Sequence, residues 1–270
     1  MSESSNISSC ASPPGNRRES LLHVFDELTG AGVLISKPLG GFQSNGSQYR
    51  VPRYIKLGPV DGGDPFRLAI FSVIHGDESA GALGLARFIQ KLVDLPGIAK
   101  GYVLYLYPLC NPTGYEDGTR HNRNGYDLNR LFWKNSSEPE VKILENEILS
   151  HMFQGIITLH TDDTSDGVYG YVHGDVLSRH ILEPALTAAE VYIPRNQRLK
   201  IDGFKAETGI IQDCFEGILR SPSELGPATF EITFETPQLI HEDLQVAAFA
   251  SALETMLIKY REMMAMGANI

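Results

Sequence analysis

The sequence predicts an α/β protein: a three-layer α/β/α sandwich on a mixed, mostly parallel sheet. Three observations carry this. Residues 68–74, 102–107 and 155–159 are short, nearly continuous apolar runs, the pattern of strands buried on both faces. Segments with helical apolar spacing fall between them. A late alternating stretch, 229–235, is followed by a long amphipathic segment, 242–264, which is expected to pack on the sheet.

Taken in order, residues 1–19 are rich in Ser, Asn, Pro and Gly and lack the apolar centre of a secretory signal, so they read as a flexible arm. No linker divides the remainder, and residues 20–270 read as a single domain. A short helix is expected at 20–28 and an early strand at 49–57, closed by the turn Gly58-Pro59-Val60-Asp61-Gly62-Gly63. The strand at 68–74 stops at His75. From Ser79, apolar residues at 80, 83, 85, 86, 88, 89 and 92 recur at helical spacing until Leu95-Pro96-Gly97 ends the helix.

The strand at 102–107 is closed by Pro108 and followed by a loop at 111–115 and an irregular stretch at 116–125. Ser136-Ser137-Glu138-Pro139 reads as the capped start of a helix at 141–153, which leads to the strand ending at His160. Asp175 is expected to cap a helix running to Ala189, and 191–193 to be a strand. Residues 195–225 have no assignable period, as in segments that cover active sites.

Composition narrows the function. The 270 residues carry 23 basic and 33 acidic side chains, a formal charge of −10. Nucleic acid and anionic membrane surfaces both select for basic proteins, so a small partner is expected instead. Three cysteines, Cys10, Cys110 and Cys214, show no Cys-x-x-Cys spacing, which argues for reduced thiols and a cytoplasmic protein. No apolar run reaches the length of a membrane helix.

The chemistry gathers at Ile74-His75-Gly76-Asp77-Glu78-Ser79, where a strand gives way to a helix. His75 and Glu78 at i, i+3 turn an imidazole and a carboxylate toward one point, both good zinc donors. The plainer alternative is a solvated helix start with Glu78 complementing the dipole. A catalytic zinc takes a third protein ligand, and His160 closes another buried strand. In an open α/β sheet, His75, His160 and Glu235, each at a strand end, share the crevice beyond the carboxyl edge.

At this point the chain resembles the zinc carboxypeptidase clan, which includes carboxypeptidase A-like peptidases and succinylglutamate desuccinylase/aspartoacylase deacylases. The matching residues are His75-x-x-Glu78, Asn111-Pro112-x-Gly114-Tyr115, Asp127-Leu128-Asn129-Arg130, His160 and Phe234-Glu235-Thr236-Pro237. The resemblance implies the zinc carboxypeptidase/phosphorylase-hydrolase-like sandwich and one Zn2+ per chain, held by His75, Glu78 and His160 with a position left for water. It implies Glu235 as general base, with Glu231 as the rival four residues earlier on the same strand face. Asn129 and Arg130 correspond to the pair that grips a substrate carboxylate, a task suited to the planar guanidinium. Asp127 corresponds to the acceptor that orients the first histidine. Arg123 is assigned to oxyanion charge, with Arg120 in the same loop as the alternative.

The implied activity is hydrolysis of an amide bond next to a free carboxylate, carboxypeptidase-like, on a small peptide or an N-acyl amino acid. Two alternatives stand beside it: an N-acyl amino acid deacylase, and a noncatalytic metal-binding protein of the same fold. The short spacing between the two histidines is nearer to the compact deacylases and bacterial peptide hydrolases than to the digestive peptidases. No tyrosine occurs between Tyr192 and Glu235, where the peptidases carry a substrate-contacting one, and Tyr169 and Tyr171 are the candidates to line the pocket instead.

Overall fold

In the computed structural model, residues 16–60, 62–222 and 229–267 are described. The helix α1 (Asn16–Gly30) opens them, so 16–19, expected in the arm, form its first turn; residues 1–15 of that arm lie outside the described residues. The strands β1 (Ile35–Ser36), β2 (Gly41–Ser44), β3 (Ser47–Arg50) and β4 (Tyr54–Leu57) follow. The expected strand at 49–57 is thus two strands, broken at Val51-Pro52-Arg53, where a proline has no N–H to give a ladder.

Next come β5 (Phe66–Ser72), α2 (Ala80–Asp94), β6 (Tyr102–Tyr107), α3 (Pro112–Asp117), α4 (Pro139–His151), β7 (Gly155–Asp162) and β8 (Tyr169–Val172). The loop expected at 111–115 is the start of α3. Asn111 caps it by accepting from the Gly114 N–H, and Pro112 takes the first turn, where no donor is needed.

The helix α5 (Asp175–Leu177) continues through a π-helical turn (Ser178–Leu182) into α6 (Glu183–Ala189). Its N-cap is Gly174, not Asp175. Residues 191–193 turn rather than pair as a strand. The stretch without period holds three two-residue strands, β9 (Lys200–Ile201), β10 (Phe204–Lys205) and β11 (Ile210–Ile211), too short to show an alternation. The chain ends in β12 (Phe230–Pro237) and α7 (Glu242–Gly267).

The central sheet has eight strands in the order β1-β4-β6-β5-β7-β12-β8-β11. Its middle, β6-β5-β7-β12, is parallel, and antiparallel pairs flank it. This is the expected sandwich. Leu68 and Ile70 of β5 face a core shared with Phe88 of α2 and Phe249 and Leu253 of α7, whereas Ala69 and Phe71 face Val141, Leu144 and Ile148 of α4. Alternation along one buried strand therefore feeds both outer layers.

Register fixes the functional edge. β5 pairs with β7 up to Ser72 and Leu159, and β7 pairs with β12 so that His160 lies directly beside Glu235. α2 and α7 approach so closely that a Cβ on Gly84 would lie 2.5 Å from the Phe249 Cβ. Gly84→Ala is therefore expected to lower unfolding free energy by roughly 1–3 kcal/mol through overpacking. Urea denaturation checks this, and a wild-type midpoint would mean that the helices separate freely.

Candidate active site and metal centre

β5 ends in a strained turn. Val73 has a φ of +52°, a left-handed conformation uncommon for a β-branched residue. The turn is held from outside: Asn111 donates its backbone N–H to the Val73 carbonyl and its side-chain amide to the Ile74 carbonyl, while the Gly76 N–H donates to the Arg120 carbonyl. A Cβ on Gly76 would lie 2.1 Å from the Gly114 carbonyl carbon, so only glycine lets the α3 segment close on this turn. The result is that His75 and Glu78 leave the strand end in one direction.

The Glu78 carboxylate stands between the two histidines. Its Oε1 is 2.6 Å from His75 Nδ1, and its Oε2 is 2.9 Å from His160 Nδ1 and accepts from the Thr161 N–H. All three side chains are buried, and their potential ligand atoms lie within 4.8 Å of one another. Two imidazole nitrogens and one carboxylate oxygen converging at that distance fit a divalent transition metal of the zinc type. The other nitrogen of His75 lies 3.2 Å from Asp127 Oδ1, which also accepts from the Asn129 N–H. His160 Nε2 is buried with no such partner among the described residues.

The electrostatics follow from this packing. Burial alone would lower the His75 pKa, but Glu78 and Asp127 outweigh it and push the ring up to about 9. Burial holds His160 below its ordinary value. For Glu78, the two neighbouring imidazoles overcome the burial penalty and hold the carboxyl well below the usual range. Glu235 goes the other way: burial first, then the charges of Glu78, Asp162 and Asp202, raise it well above an ordinary carboxyl.

A cavity of about 320 Å³ opens over this cluster. His75, Glu78, His160, Glu235, Asn129 and Arg130 all line it, as do Tyr169 and Tyr171. Asn129 accepts the Leu219 N–H on Oδ1, which leaves its amide NH₂ for the cavity, and the Arg130 guanidinium lies 4.2 Å over the Phe215 ring. Glu231 does not line this cavity; its Oε1 accepts the Ser221 N–H.

Arg123 is not brought into the cavity. Its guanidinium is spent on Glu116, Asp117 and the Tyr49 hydroxyl, and it stacks over the Tyr49 ring. Arg120 lines the cavity instead, 3.4 Å from Glu78 Oε1 and 3.3 Å from Asp127 Oδ2. The three-residue separation could not be resolved from sequence because the loop has no periodicity. Asp162 and Asp202 were missed as lining residues, though Asp202-Gly203 between two short β-prone pairs is a two-residue hairpin signal.

This is a carboxypeptidase-like architecture with a His-Glu-His cluster that could hold a metal ion. The catalytic-domain model for succinylglutamate desuccinylase/aspartoacylase matches residues 66–193, which hold the three metal-site residues and Asp127-Leu128-Asn129-Arg130 but not Glu235. A candidate metallopeptidase from Shewanella baltica OS155 superposes with a TM-score of 0.75 at 25% identity, over 89% of this chain and 91% of that one. The metallo-carboxypeptidase of Burkholderia cenocepacia gives 0.66 at 15% identity, over 92% and 69%. That of Pseudomonas aeruginosa, in complex with (2-guanidinoethylmercapto)succinic acid, gives 0.69 at 17%, over 91% and 69%. The last two share the fold. A search of curated proteins finds no match. The catalytic-domain match and the Shewanella structure support the zinc carboxypeptidase clan that the sequence resembles.

Asp127→Ala is expected to weaken metal binding about 10- to 100-fold, because His75 loses the acceptor that fixes its ring. Competition against a chelating dye measures this; wild-type affinity would mean that the strand end alone orients the ring.

Proposed function

We propose that the protein is a zinc-dependent hydrolase, with one Zn2+ per chain, that cuts an amide bond next to a free carboxylate in a small peptide. The observation that carries this reading is the convergence of His75, Glu78, His160, Glu235, Asn129 and Arg130 on one cavity. His75, Glu78 and His160 would hold the ion, which when bound supplies a Lewis acid and lowers the pKa of water.

Glu235 acts as the base. Its carboxylate is nine-tenths buried beside His160, and a carboxyl whose pKa is raised by burial both accepts a proton and keeps it long enough to deliver it to a leaving nitrogen. Arg120, not Arg123, faces the cavity beside Glu78 and is the cation available to developing oxyanion charge. Arg130 and Asn129 pair with the substrate carboxylate through parallel N–H donors. Asp127 holds the His75 ring.

The second reading, an N-acyl amino acid deacylase, is favoured by the catalytic-domain match at 66–193. A binding protein without chemistry has no use for a buried carboxylate such as Glu235 beside its metal site. No helix among the described residues is long and apolar enough to cross a membrane, and the free thiols of Cys110 and Cys214 support a cytoplasmic setting.

Glu235→Gln is expected to retain about one zinc per chain while hydrolysis falls by on the order of 10² to 10⁴, since the amide keeps the shape and loses the base. Elemental analysis and turnover on the same sample check both halves. Loss of zinc, or full activity, would remove Glu235 from the role.

Arg130→Ala is expected to raise KM roughly 10- to 100-fold for a substrate with a free α-carboxylate, the worth of hydrogen bonds to a charged group. The amidated analogue should change far less. Steady-state kinetics on the matched pair decides it, equal losses on both showing that Arg130 is structural.

A further inference from the structure

The arginines that follow α3 are held in different ways. Arg123 gives N–H groups from all three of its nitrogens to Glu116, Asp117 and the Tyr49 hydroxyl, and Arg120 donates to Glu78 and Asp127. Arg130 is held mainly by its face. Its guanidinium lies 4.2 Å over the Phe215 ring, and among the described residues its side chain donates only to the Asn129 carbonyl, through Nη1. A cation over a ring is attracted through the π face and uses none of its N–H groups, so four of the five donors stay in the plane for another acceptor. A carboxylate clamp like the one on Arg123 would occupy those donors.

Phe215 is itself fixed, although it lies in the stretch 195–225 that has no assignable period. Its segment is tied to the turn that carries Asn129 and Arg130: the Phe132 N–H donates to the Gly217 carbonyl, and the Leu219 N–H to Asn129 Oδ1. Gly217 has a φ of +74°, and a Cβ there would lie 2.3 Å from the Arg130 carbonyl oxygen. Glycine therefore lets the two backbones touch. From the other side the Phe204 ring of β10 meets Phe215 in a T-shaped contact, centroids 4.7 Å apart at 73°. Phe204 packs in turn on Tyr171, and Phe215 lines the cavity beside Asn129 and Arg130.

We propose that Phe215 is a positioning residue for the carboxylate-binding pair: stacked on the Arg130 guanidinium, it fixes the plane of the fork and leaves the donors to the substrate. The inference rests on the amide-hydrolase reading, which gives Arg130 to the substrate carboxylate, and deepens it. A free arginine loses its rotamer freedom each time a substrate binds, whereas a stacked one has lost it already on folding. A bidentate pair also needs the plane of the guanidinium aligned with that of the carboxylate. An aliphatic side chain in the same place fills the space but has no negative face for the cation. The substrate carboxylate is not a reacting atom, so the grip is equal in the ground and transition states, and its loss raises KM rather than lowering kcat.

The test uses the zinc-loaded full chain and a matched pair of substrates, an N-benzoyl dipeptide with a free carboxylate and its C-terminal amide. In Phe215→Leu, KM for the acid is expected to rise about tenfold with kcat within about twofold of wild type, while the amide hardly changes. Phe215→Met repeats the measurement with a second ring-free side chain. Phe215→Tyr keeps the ring and is expected to return KM to within about threefold of wild type. In an Arg130→Ala background, Phe215→Leu is expected to add nothing, because the ring acts through the guanidinium. Equal losses on acid and amide, a loss undiminished without Arg130, or a loss that tyrosine does not restore would each overturn the positioning role.

Calorimetry with N-benzoylglycine and N-benzoylglycinamide separates this inference from the hydrolase reading. If no peptide is cut but wild type binds the acid more tightly, and Phe215→Leu loses the difference that Phe215→Tyr keeps, the hydrolase reading fails and the positioning role stands. Hydrolysis with an acid-over-amide preference that is the same in Phe215→Leu as in wild type leaves the hydrolase reading and removes the positioning role.

Discussion

A carboxylate at 2% exposure is costly unless its oxygens are matched, and Glu78 is matched on every side. His75, His160, the Thr161 N–H and Arg120 all reach it, each from a different part of the chain. That arrangement requires β5 and β7 to end at the same level, α2 to begin immediately beyond His75, and the Arg120 loop to fold back across the strand ends. Much of the surrounding structure is intelligible as what keeps those parts in place: the Asn111 amide on Ile74, the Arg120 carbonyl on Gly76, and the glycine contact between Gly76 and Gly114.

The parallel centre of the sheet gives the site its direction. Strands that run the same way put their carboxyl ends on one edge, and the loops that follow them must cross there. His160 and Glu235 are direct neighbours in the β7–β12 pairing, so an imidazole of the His-Glu-His cluster and a buried carboxylate are separated only by the spacing of two strands. A one-residue slip of that register would turn one of them to the opposite face of the sheet.

Two buried carboxylates a short way apart carry opposite electrostatics. Glu78 is held ionised by two imidazoles, whereas Glu235 has no cation in contact among the described residues and is raised by its own burial and by the acids around it. Chemically identical groups in one cavity thus differ in their affinity for a proton. Arg123 shows the complementary case: a guanidinium that gives four of its five N–H donors to Glu116, Asp117 and Tyr49 is turned away from the cavity, whatever its position in a motif.

The sandwich, its buried parallel strands, the long α2 and α7, and the grouping of His75, Glu78, His160 and Glu235 were legible from the sequence. Apolar runs and 3.6-residue spacing are local signals, and a histidine or glutamate that ends such a run has little choice of where to point. The split at Pro52, the short α3, the three two-residue strands and the absence of a strand at 191–193 were not, because elements of that length are decided by neighbours more than by propensity. The same limit applied to the site. The resemblance pointed to an arginine of the irregular loop, with Arg123 preferred to Arg120, and the sequence offered Tyr169 and Tyr171 as candidates to line the pocket. Only the tertiary structure put Arg120 and not Arg123 in the cavity wall and brought Asp202 to Tyr169 and Tyr171, since a side chain's partners across 31 to 74 residues of chain depend on packing that no local pattern encodes.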